Sequence, residues 1–130
     1  MTNILNRVNL SFPGLFFLRF IECEDLEGDR VFYVNYLDIE ALCPSNRWKE
    51  HYSFRALIGN GQYTTLNEFK KILIAESCQS KSPVVLALFM ALMGEASIDD
   101  LLRLAIKKPE KLDYFYGAIG LYLDWISEKC

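Results

Sequence analysis

Five carboxylates fall within the eight residues ECEDLEGD: Glu22, Glu24, Asp25, Glu27 and Asp29. Clustered carboxylates can hold calcium or steer onto a positively charged surface. Calcium needs an ordered ladder of oxygen ligands, Asp-x-Asp-x-Asp-Gly with a distal Glu, and that order is absent. Two readings remain: a solvated tip between two strands, or an acidic docking patch that accelerates encounter with a basic protein and fills a site meant for phosphates.

His51 is the single histidine, so any acid-base or thiol-imidazole chemistry passes through it or does without. Extended backbone from residue 47 to 55 would send Arg47, Lys49, His51, Ser53 and Arg55 to one side and Trp48, Tyr52 and Phe54 to the other. Such a basic ladder is either a solvated strand face or a phosphate-binding surface, and it supplies the catalytic alternative, a small hydrolase or nuclease using His51 with Arg47 and Arg55. Cys43 precedes His51 without any flanking nucleophile motif. The loop IGNGQYTT lacks the Gly-Lys-Ser/Thr that lets a Walker loop grip phosphates and magnesium, and it reads as a plain turn. Cys23, Cys43, Cys78 and Cys130 form no Cys-x-x-Cys pair, so four ordinary thiols are expected, with no metal and no cofactor.

Near the C-terminus Tyr114, Phe115 and Tyr116 are consecutive and cannot all face inward. With Phe115 in the core, Tyr114, Ala118, Leu121, Tyr122 and Trp125 trace a second side of one helix. A second internal layer is the favoured cover for that side. The alternative is an interface, either a partner groove or a homodimer, in which Tyr114, Tyr122 and Trp125 serve as anchors.

The elements that hold these residues follow from periodicity. Val84 to Met93 is a run of ten residues without a polar side chain, whereas spanning a bilayer takes about 20. With Ser82 as N-cap, Pro83 in the first turn and Gly94 at the end, the run is a short buried helix. Thr65 and Glu68 make a capping box for a helix over about Leu66 to Ser77, and Ser97 and Asp100 make another for a helix that stops before Pro109. A last helix opens at Pro109 and runs near Lys129, with Leu112, Phe115, Ile119, Leu123 and Ile126 inward. Close approach of a neighbouring backbone would explain Gly117 and Gly120 inside it, as would chance.

The N-terminal half keeps a period of two. LFFLRFIECE and RVFYVNY read as antiparallel strands around a turn at Gly28, and HYSFRALI as a third strand before the Gly59-Asn60-Gly61 turn. A short helical turn begun by Asp38 ends before Pro44, while residues 4 to 12 suit either class. Strands followed by helices predict an α+β fold, a small antiparallel sheet packed by about four helices, in a single domain over 1–130.

Hydrophobic residues make up 52% of the 130 and the net charge is −3, which excludes a disordered tail and mildly disfavours nucleic acid. The opening MTNILNRVNLSFPGLFF has Asn and Arg where the apolar run of a secretory leader would lie, and with the scattered thiols this points to the cytoplasm. In overall character the chain resembles the general type of bacterial immunity and antitoxin inhibitors. That resemblance implies a non-enzymatic inhibitor that neutralises a basic protein, such as a nuclease toxin, through its acidic patch, without binding nucleic acid directly and without a membrane.

Overall fold

The computed structural model describes residues 3–44, 47–52, 55–79, 82–94 and 97–129. Five strands precede most of the helical content, an α+β arrangement. The strands are β1 (Asn3–Phe12), β2 (Phe16–Glu24), β3 (Arg30–Asn35), β4 (Ala56–Ile58) and β5 (Gly61–Thr65). They form one antiparallel sheet in the order β1-β2-β3-β5-β4. The helices are α1 (Tyr36–Leu42), α2 (Leu66–Gln79), α3 (Pro83–Gly94), α4 (Ile98–Lys107) and α5 (Asp113–Lys129). By the density of its contacts the chain divides into two compact units, Met1–Ala75 and Glu76–Cys130.

In the first unit, alternation sends Val8, Leu10, Leu18, Phe20 and Val34 to one buried face of the sheet. Phe20 meets Phe69 of α2 edge-on, with ring centroids 6.0 Å apart, a geometry aromatic quadrupoles favour. The opposite face carries a second cluster of Ile21, Cys23, Ile58 and Tyr63, with Ile4 and Tyr33 packed against it. Because Ile58 and Tyr63 belong to the β4–β5 hairpin, that hairpin packs over the second face. β1 contains a bulge between Ile4 and Asn6, which shifts the phase of its alternation. This shift is why residues 4 to 12 show no clean period in sequence.

Of the strand expected over 51–58, Ala56–Ile58 forms while His51, Tyr52 and Arg55 lie outside any strand. Residues Arg47–Glu50 instead form a 3-10 turn, with the His51 and Tyr52 amides both donating to the Trp48 carbonyl at 3.1 and 2.8 Å. The cause is Trp48, which is buried against Tyr36 at 5.5 Å and donates its indole N–H to the Cys43 carbonyl at 2.9 Å. Burying that indole with its N–H satisfied outweighs the local β preference. Ser53 and Phe54, also assigned to that strand, lie outside the described residues. α1 opens at Tyr36, two residues earlier than expected, capped by the Asn35 side chain accepting from the Asp38 amide at 3.3 Å.

In the second unit, the predicted caps form. Ser97 Oγ accepts from the Asp100 amide at 3.2 Å and Ser82 Oγ from Val85 at 3.5 Å, as Thr65 Oγ1 does from Glu68 at 3.1 Å in the first unit. α3 buries Val85, Ala87, Leu88, Ala91 and Leu92 and packs along α5. Among the described residues no helix is long and apolar enough to cross a membrane. Pro109–Leu112 makes a 3-10 turn before α5, which buries Phe115, Ile119 and Ile126. A Cβ on Gly117 or Gly120 would meet nothing within 4 Å, so no close backbone accounts for either glycine.

Candidate functional site

The acidic turn between β2 and β3 is held by its own backbone. The Asp25 amide donates to the Asp29 carbonyl at 2.9 Å and the Gly28 amide to the Asp25 carbonyl at 3.1 Å. The Asp25 carboxylate then accepts from the amides of Glu27 at 2.9 Å and Asp29 at 2.8 Å, the Asx pattern that gives a turn a side-chain staple. Gly28 sits at φ +88°, a conformation other residues enter at a steric cost. Glu24, Asp25, Glu27 and Asp29 are exposed, and between them Leu26 is 97% exposed at the tip.

Glu22 does not join this patch. It lies inside β2 opposite Asn6, shares the inward parity of Leu18 and Phe20, and is 3% exposed. Asn6 Nδ2 donates to its carboxylate at 2.7 Å, satisfying a charge that burial alone would penalise. The acidic surface is therefore four carboxylates, not five.

The basic ladder over 47–55 is not formed. Lys49 pairs with Glu40 at 2.8 Å. Arg55 stacks on the Tyr36 ring at 4.2 Å and donates to its hydroxyl at 3.3 Å. His51 is exposed beyond the 3-10 turn, while Cys43 is buried. The single extended row on which Arg47, His51 and Arg55 would meet a phosphate is absent. Among the described residues no three His, Cys, Asp or Glu side chains gather as a metal site.

The second side of α5 lies at the surface and not under an internal layer. Tyr114, Leu121 and Trp125 are 50%, 72% and 48% exposed, and Tyr122 is half-buried. Exposed in this way, the side offers apolar contact area with polar tips.

A polar cleft of about 360 Å³ opens in the first unit, lined by Arg7, Arg19, Asn35, Tyr63 and the turn from Ile58 to Gly61. Arg19 is fixed there by Asp38, a buried carboxylate at the start of α1. Its Nε and Nη2 donate to the two Asp38 oxygens at 2.8 Å each, its backbone N–H donates to Asp38 Oδ2 at 2.8 Å, and Nη2 reaches Asn35 Oδ1 at 3.3 Å. The bond to Asp38 is the main cause that raises the Arg19 pKa above the usual guanidinium range. Burial pushes the Cys23 thiol up, and the charge of Arg7 pulls against it; strand register, with Arg7 opposite Ile21, puts Arg7 on the face where Ile21 and Cys23 lie.

The β4–β5 turn at the rim has Gly59 at φ +60° and no left-handed Asn60, the type II′ form that suits hairpin twist. Gly61 is excluded from carrying a side chain, because its Cβ would stand 2.7 Å from the Tyr63 ring. Sequence reasoning passed over Arg7 and Arg19. Neither sits in a motif, and only strand register brings them together.

The arrangement is that of a small α+β protein with one acidic projection and one basic cleft. The chain matches no protein family, no curated protein and no solved structure.

Proposed function

We propose that the protein is a non-enzymatic, cytoplasmic inhibitor of the immunity or antitoxin type, which masks a basic protein such as a nuclease toxin with its β2–β3 turn. The observation carrying this reading is the turn itself: four exposed carboxylates around a Leu26 that is 97% exposed, on a backbone stapled by Asp25. Pre-formed presentation lowers the ordering cost of binding. The carboxylates steer the encounter, and Leu26 supplies an apolar knob for a pocket between basic residues.

Asp25 holds the turn, so the clean test spares it. The partner captured from the native host is measured against wild type and the double variant Glu24→Lys/Glu27→Lys over a salt series. Affinity should fall by about tenfold or more in the variant and decline steeply with salt in the wild type. Unchanged affinity, or indifference to salt, rejects the mechanism. A partner-free particle of twice the chain mass in sedimentation, lost in Trp125→Ala, favours instead a homodimer closed through the exposed side of α5.

A further inference from the structure

The cleft beneath the β4–β5 turn has no part in that reading, and several of its donors remain available. Arg7 lies opposite Ile21 and Arg19 opposite Asn9, so the two arginines are diagonal neighbours on one face, about 7 to 8 Å apart at their bases and within reach of a shared anion. The Arg7 side chain makes no hydrogen bond or ion pair among the described residues. Arg19 gives Nε and Nη2 to Asp38 and Asn35, which leaves the two N–H groups of Nη1 on a guanidinium whose plane is already locked. At the rim, the amides of Gly59 and Asn60 donate to no backbone carbonyl among the described residues. Among the described residues no carboxylate lines the cleft.

We propose that this cleft binds the phosphate group of a small phosphate monoester. Two positive charges less that of Asp38 leave a surplus that suits an anion, and a phosphate monoester carries about −1.5 to −2 at neutral pH. Its three terminal oxygens match three donor sets: the Arg7 fork, the free edge of Arg19 and the turn amides. A carboxylate has two oxygens in one plane and leaves one set unmet. The cleft volume of about 360 Å³ leaves room for the sugar or alcohol that bears the phosphate.

The test is a titration of ¹⁵N-labelled protein with ribose 5-phosphate, with ribose and succinate as comparisons. Ribose 5-phosphate should give saturable shifts at the amides of Gly59, Asn60 and Gly61. Arg7→Gln should weaken that binding by about tenfold or more, with the remaining resonances in place to show an intact fold. Glu24→Lys/Glu27→Lys should leave it unchanged, so this site and the acidic turn stand or fall separately. Absence of saturation, binding indifferent to Arg7→Gln, equal response to ribose, or tighter binding of succinate each overturns the proposal.

Discussion

Asp38 joins more of the first unit than any motif in the sequence suggests. It accepts from the Arg19 backbone, Nε and Nη2, and so ties the start of α1 to β2 while holding one wall of the cleft. Asp38→Ala removes these bonds and leaves a strand amide and a guanidinium without their acceptor. About 45% of the Arg19 side chain is exposed and can rehydrate, so we expect a loss of about 2 to 3 kcal/mol in denaturant unfolding. Asp38→Asn should lose less, because its amide oxygen still accepts. A loss below about 0.5 kcal/mol for Asp38→Ala would show the network to be ornamental. Parity could have revealed Glu22, which shares the odd-even phase of Leu18 and Phe20 and so belonged inside. Arg7, Arg19 and Asp38 were beyond reach, since nothing local encodes which strands become neighbours.

The helices were the more legible elements, because caps and apolar periodicity are short-range signals. Thr65 with Glu68 and Ser97 with Asp100 stand where their spacing put them, and Pro109 separates α4 from α5. The strands were harder. A bulge hid the period of β1, β5 was concealed in what read as a turn, and Trp48 drew residues 47–50 into a 3-10 turn. Gly117 and Gly120 teach a different point: a Cβ at either meets open space, so they carry the entropic cost of glycine in a helix without a packing reason. Gly117→Ala should therefore stabilise the protein by about 0.5 to 1 kcal/mol, read as a raised denaturation midpoint. Destabilisation would mean that α5 meets a surface requiring the smallest residue there.

At the scale of the whole molecule, segregation of strands from helices made the α+β class readable, since the period of two dominates the N-terminal half and the helical period the C-terminal half. The apolar run of α3 is the keystone of the second unit. Leu88 is fully buried, and Leu88→Asp deletes its packing and introduces an unpaired charge, a combined loss that exceeds the roughly 5 to 15 kcal/mol margin of an ordinary domain or consumes most of it. Soluble expression should collapse, and recovery of a folded Leu88→Asp protein would contradict the buried assignment.

β1 ends the sheet, paired with β2 alone among the described residues. Its outer rim is a template onto which another molecule's strand could zip. The irregularity between Ile4 and Asn6 interrupts that rim, so an incoming strand finds matched spacing on one side of it only. The feature that blurred β1 in the sequence thereby leaves this edge a poorer template for a second strand.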